Sequence, residues 1–278
     1  MINFFKLLHF EWNRFARLYS LLFVLVFVLQ LIGLLLLLTG YISNIQIEVK
    51  QNHMSNQAFI EMYGKFGLDF LAYSLWFAAP IAISIAALLF YVPFIWYRDW
   101  FARNTFIYRL LMLPTARMNL FFAKLTTIMI SVLGMVAYQL LLLVFYKEII
   151  KWMVPSTFRS EAGVIDMILE SSYLSFVIPA GVMEFFVAYG LGLAAVIVIF
   201  TVILMERSFR WIGLALGIVY TSIVVITFLA PILVVELFPN VLSLYPSELF
   251  LVELSLWIVI IVGSLLISNY LIHRKVTV

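Results

Sequence analysis

Six apolar stretches dominate the chain, at about residues 18–40, 70–97, 120–146, 176–205, 211–235 and 251–272. Each supplies the ~20 residues that a helix needs to cross ~30 Å of hydrocarbon. The polar gaps between them are short. The pattern therefore predicts an all-α integral membrane protein with six transmembrane helices, forming a single transmembrane domain over residues 1–278.

The gaps predict smaller elements. Over residues 3–17, Phe4, Leu8, Trp12 and Phe15 recur at helical spacing, while Lys6, Asn13 and Arg17 fall away from that stripe. This is the pattern of an N-terminal interfacial amphipathic helix, with aromatics in the acyl boundary and cations toward phosphates. A positively charged flank of the first span is the simpler alternative. The gap at 41–69 carries Asn44, Asn52, His53 and Asn56 and predicts a partly helical loop. The gap at 147–175 alternates apolar and charged residues around Pro155 and predicts two short surface helices, which cap the domain or gate a substrate. The gap at 236–250 sets Pro239, Asn240, Pro246 and Ser247 among leucines and aromatics. It predicts a re-entrant hairpin, because broken backbone at membrane depth needs protein or a water-filled cavity around it.

Charge orients the spans. With the N-terminus inside, the inner segments hold Lys6, Arg14, Arg17, Arg98, Arg103, Arg109, Arg117, Lys124, Arg207, Arg210, Arg274 and Lys275. The outer segments hold only Lys50, Lys65, Lys147, Lys151 and Arg159. That asymmetry places both termini in the cytoplasm. Composition agrees: 65% of residues are hydrophobic and 11% charged, too few polar groups to cover a soluble surface. The net charge of +3 follows from topology, and the basic residues sit where lipid headgroups would meet them, so nucleic acid is not an expected partner. The chain has no cysteine, which excludes disulfides and thiolate metal sites. Size and economy point to a multi-pass protein of a bacterial plasma membrane. The first apolar run is too long for the h-region of a cleaved signal peptide and reads as a span.

Catalytic signatures are absent. No phosphate loop occurs; the single Gly-Lys pair, Gly64-Lys65, is followed by Phe66. Neither His-Glu-x-x-His nor Gly-x-Ser-x-Gly is present, and the three histidines, His9, His53 and His273, lie outside the spans. The expectation is a transport protein that is not an enzyme and binds no cofactor or metal itself. Glu184 reads as the one acid well inside a span, about two turns from its outer end, and so as a candidate for binding a cationic group or relaying a proton. Reaching the outer interface is its alternative. Tyr138 and Gln139 are the next polar candidates for a translocation path. Gly213-x-x-x-Gly217, and Ala188 with Gly192, permit close helix approach, within the chain or between chains.

The most specific segment runs from Tyr97 to Arg117, with Lys124 beyond. A short helix is predicted over 104–113, capped by Asn104 or Thr105 and stopped by Pro114. Leu110, Leu111, Leu113, Pro114, Thr115, Ala116, Arg117 and Lys124 resemble the first intracellular loop of permease subunits of the type-2 class of ABC exporters. The six spans, the interfacial helix, the inside termini and the hairpin match that family's plan as well. Asn104-Thr105 stands where the family often has Gly-Thr, and Arg98-Asp99 inverts its acid–arginine order.

The resemblance implies a short cytoplasmic coupling helix between spans two and three. Its ATPase-coupling residues are Arg103, Phe106, Tyr108, Arg109, Pro114 and Arg117. It also implies an ABC ATPase subunit dimer as partner, which binds ATP and Mg, and a second permease chain. The substrate would be a hydrophobic or amphipathic drug, peptide or lipid. The competing function is an ATP-independent transporter or channel, which needs ion sites in several spans. An integral membrane enzyme is a third reading, opposed by the lack of clustered polar residues at one depth.

Overall fold

The computed structural model describes residues 2–101, 106–112, 114–179, 181–237 and 245–275. These residues are helical nearly throughout, in the order α1 (Ile2–Asn44), α2 (Asn56–Tyr63), α3 (Leu68–Ala72), α4 (Leu75–Phe101), α5 (Phe106–Leu111), α6 (Met118–Met153), α7 (Val164–Glu170), α8 (Ser172–Val177), α9 (Val182–Phe209), α10 (Trp211–Leu237) and α11 (Pro246–Arg274). A π-helical stretch, Ile45–Gln51, extends α1. Helices α1, α4, α6, α9, α10 and α11 are long and apolar enough to cross a membrane, which is compatible with a multi-pass membrane protein.

Two departures from the predicted elements have local causes. The expected interfacial helix is not a separate element, because α1 runs unbroken from Ile2 to Asn44. No proline or glycine occurs in it before Gly33 to end the hydrogen-bond ladder. Its buried stripe is also displaced from the expected one: Leu7, Glu11, Phe15, Tyr19, Leu22 and Val26 are buried, spaced by three or four residues. An acid therefore stands in the stripe that packs inward. The fourth long helix begins at Val182, six residues later than its apolar run. Pro179 and Gly181 intervene after the short helix α8. The predicted hairpin at 236–250 falls largely on residues 238–244, which lie outside the described residues, as do Asn104, Thr105 and Leu113 of the predicted short helix.

The described chain packs as two compact units. One comprises the chain up to Glu11, Phe90–Met129 and the chain from Phe186 onward; the other comprises Trp12–Leu89 and Ile130–Phe185. The second is built around Leu34, Leu38, Phe59, Leu71, Phe77, Leu143 and Leu174, all without solvent exposure. Gly33 lets α1 meet α4 closely, since a Cβ there would lie 2.2 Å from that of Trp76. The two predicted loops of this unit are stitched together. The Phe66 amide donates to the Phe158 carbonyl, and the Ser160 amide to the Phe66 carbonyl, both at 2.9 Å. The Tyr41 hydroxyl donates to the Gly64 carbonyl at 2.7 Å. Rings of Tyr41, Phe59, Phe66 and Phe158 pack around that seam.

The first unit centres on Trp96, Phe121 and Phe200, whose rings meet edge to face against Phe200 at 5.5 and 5.4 Å. Its tightest turn joins α9 to α10 through Arg210 alone, in the left-handed region at φ 53°. The helices then lie so close that a Cβ on Gly213 would meet the Met205 carbonyl oxygen at 2.0 Å, and one on Gly217 would meet Val202 at 2.8 Å. The Gly-x-x-x-Gly pair thus serves packing within the chain.

Candidate functional site

The segment singled out by the sequence begins with α5. Ile107, Leu110 and Leu111 are buried, whereas Met112 is exposed. Ile107 and Leu111 line a small apolar cavity with Trp96 and Trp100 of α4, Leu120 of α6, Leu204 of α9 and Ile272 of α11. The short helix is thereby keyed to the ends of four long ones. Arg117 adds a polar tie: its guanidinium donates to the Ile272 carbonyl at 2.9 Å. Pro114, three residues earlier, is exposed. Arg103 lies outside the described residues, and the side chains of Phe106, Tyr108 and Arg109 are likewise not described.

Beside this seat lies a buried ionic cluster. The Lys124 ammonium donates to Glu11 Oε1 at 2.7 Å, to the Ile95 carbonyl at 3.0 Å and to the Asp99 carboxylate. It also sits 5.3 Å from the centroid of the Trp96 ring. Arg98 donates to Glu11 Oε2 at 2.6 Å and to the Tyr91 hydroxyl at 3.3 Å. Glu11, Asp99 and Lys124 have no solvent exposure at all. Two acids and two bases make the cluster formally neutral, and every charge has an opposite charge at contact distance. That is the condition under which buried ions are tolerated. On the same turns of α4, the Tyr97 hydroxyl donates to Glu206, and the Arg207 guanidinium lies 4.8 Å from the ring centroids of both Tyr97 and Phe101. In the sequence analysis Lys124 counts as one of the inner basic residues and as part of the family motif, and Glu11 is not singled out. Their meeting could be suspected from one signal, acids embedded in a segment otherwise basic.

The residues expected to mark the membrane face of the N-terminal segment divide. Phe4, Leu8 and Trp12 are half-buried, Phe15 is buried and Arg17 is exposed. Trp12 packs edge-on against Tyr19 at 5.5 Å.

Of the three candidates for a translocation path, Tyr138 and Gln139 belong to the packed interior of the second unit. Gln139 and Gln30 pair through their amides at 3.3 and 3.4 Å, and Gln30 also donates to the Phe77 carbonyl and accepts from Tyr146. Tyr138 stacks on Phe23 at 4.2 Å and donates to the Phe23 carbonyl. These polar groups are mutually satisfied. Glu184 corrects the expectation of a deep acid. Because α9 starts at Val182, Glu184 stands in its first turn, exposed, and accepts from the Gly181 amide at 3.4 Å. A carboxylate there complements the helix N-terminus.

A different acid takes the position that Glu184 was expected to hold. Glu253 lies seven residues into α11, ~10 Å along its axis. Both of its carboxylate oxygens are buried without a hydrogen-bond partner, and so is the indole nitrogen of Trp257, one turn on. Trp257 stacks against Phe228 of α10 at 6.1 Å, and a Cβ on Gly190 of α9 would meet its ring at an ordinary 3.7 Å. Further along the same face come Ser264 and Ser268. Ser264 bonds the Tyr220 hydroxyl of α10 at 2.5 Å, and Ser268 bonds Thr201 of α9 at 2.9 Å. Spacings of 4, 7 and 4 residues put Glu253, Trp257, Ser264 and Ser268 on one stripe of α11. Among the described residues no group of three or more His, Asp or Glu side chains could hold a metal ion.

No protein-family model matches the chain, and no match to it is found among curated proteins or solved structures.

Proposed function

We propose that this chain is the membrane-spanning permease subunit of an ATP-driven ABC exporter, working as a dimer against an ATPase dimer that binds ATP and Mg. Both termini and α5 face the cytoplasm of a bacterial cell, and the cargo is hydrophobic or amphipathic.

The observation that carries this reading is the seating of α5. A transporter powered by a separate ATPase needs a short, stiff element that passes a push into several spans at once. Ile107, Leu110 and Leu111 are buried, and the cavity that Ile107 and Leu111 border is walled by the ends of α4, α6, α9 and α11. Packed interiors transmit displacement because they have little free volume. The neighbouring ionic cluster ties Glu11 to Arg98 and Lys124, so the N-terminal turns move with the same seat. The 12-to-5 split of basic residues supports the orientation.

The test is purification of the tagged chain from its native membrane. A P-loop ATPase should co-purify, and the complex should hydrolyse ATP. Replacing Phe106 and Tyr108 together by alanine should leave hydrolysis intact while transport falls, or should weaken assembly. Purification without any ATPase, or full transport by the double variant, would overturn the reading.

A further inference from the structure

Glu253 and Trp257 carry polar groups that nothing in the described chain satisfies. A buried carboxylate with no partner costs several kcal/mol in a membrane interior, so a bare one is not a resting arrangement. The two groups share one face of α11, and Phe228 of α10 stacks on Trp257 there. Further along the stripe, Ser264, Ser268, Thr201 and Tyr220 satisfy one another. The unmet demand is therefore confined to the Glu253 end.

The chemistry selects among cations. A hard metal ion needs several oxygen ligands, and Glu253 offers one carboxylate, with the stacked Trp257 and Phe228 rings one turn along α11. A soft organic cation needs one opposite charge and aromatic faces to lie against. We infer that Glu253, Trp257 and Phe228 form a binding site for a lipophilic organic cation, such as a quaternary ammonium or phosphonium amphiphile. The carboxylate neutralises the charge while Trp257 and Phe228 take the apolar body. The inference deepens the proposed function by naming a cargo class and rests on that reading for transport, but binding alone tests the site.

The experiment uses the full-length chain in lipid nanodiscs, without ATPase or nucleotide, and radiolabelled tetraphenylphosphonium as probe. Saturable binding is expected, with tetraphenylborate, an anion of the same shape, failing to compete. Glu253→Gln should weaken binding by about tenfold or more, and Glu253→Asp should keep most of it, since the charge survives. Trp257→Ala should weaken it about three- to tenfold. Each variant is first checked for monodispersity, and Glu253→Asp separates loss of charge from loss of fold. Unchanged binding in Glu253→Gln, equal competition by tetraphenylborate, or no saturable binding by the native chain would overturn the site; the last would leave Glu253 to a proton alone. If an ATPase co-purifies and the cation does not bind, the site fails and the transporter reading stands. If the cation binds through Glu253 and no ATPase is found, the converse holds.

Discussion

Glu11 and Glu253 belong to the same packed unit, and both have buried carboxylate oxygens. Glu11 receives Lys124 on one oxygen and Arg98 on the other, at 2.7 and 2.6 Å. Among the described residues nothing donates to Glu253. The first acid is answered from two other elements, α4 and α6, and so fixes how they meet α1. The second is left to be answered from outside it. Burial of a charge therefore does not by itself mark a site; burial with its partners missing does. On this criterion Glu11 and Lys124 support the seat of α5, and Glu253 awaits a ligand.

The sharpest way to break the comparison is to strip a partner from the ionic cluster. Lys124→Met keeps the apolar stem and removes the ammonium. Glu11 and Asp99 are then left buried with less compensation, Asp99 having lost the lysine and Glu11 one of its two cations. Removing one member of a buried ion pair costs about 3–5 kcal/mol, and that loss is expected here. Denaturant unfolding in mixed micelles measures it. A loss below about 1 kcal/mol would mean that the cluster does not hold the fold together.

The opposite sign is expected at the unsatisfied acid. Glu253→Leu removes two acceptors that have no donors and fills the same space with apolar atoms. An unmet buried polar group costs about 1–3 kcal/mol, so the variant should be more stable than the native chain by up to that amount. The same unfolding assay reads it, in the absence of any organic cation. Destabilisation beyond about 1 kcal/mol would reveal a partner for Glu253 and remove its contrast with Glu11.

How far the sequence made this legible follows from the range of each signal. A long apolar run is local, so all six long helices could be read from it. The ionic cluster could not be read that way. Glu11 and Lys124 are 113 residues apart, and along the chain each looks like an ordinary flanking charge. The packed face of α1 was not legible for a related reason. The apolar pattern gave Phe4, Leu8, Trp12 and Phe15 as a lipid-facing stripe, whereas the residues buried in the chain are Leu7, Glu11 and Phe15, with a paired acid in an inward position. The depth of Glu184 was misjudged, and Glu253 passed over, because apolar runs do not mark helix starts. Pro179 and Gly181 delay α9, which leaves Glu184 in its first turn. At α11 the cue was present: Pro246 at the first helical position, and Glu248 accepting from the Tyr245 amide at 2.9 Å. Read as a start signal, that pair places Glu253 two turns deep.

The smallest effect should come from the rim of the cluster, where saturation gives way to solvent. Arg98 is its one partly exposed member, with 17% of its side chain accessible. Besides Glu11 it reaches the Tyr91 hydroxyl, at the long distance of 3.3 Å. Tyr91→Phe removes that acceptor and keeps the aromatic face, which lies 5.9 Å from the guanidinium. The freed N–H can turn to water, so no buried donor is stranded. A neutral acceptor lost under those conditions costs about 0.5–1 kcal/mol. The Glu11 pairings survive, so α5 should keep its seat and ATPase assembly should be unchanged. If Tyr91→Phe instead cost as much as Lys124→Met, the cluster would act as one indivisible network reaching to Tyr91. The boundary between its interior and its rim would then have to be redrawn.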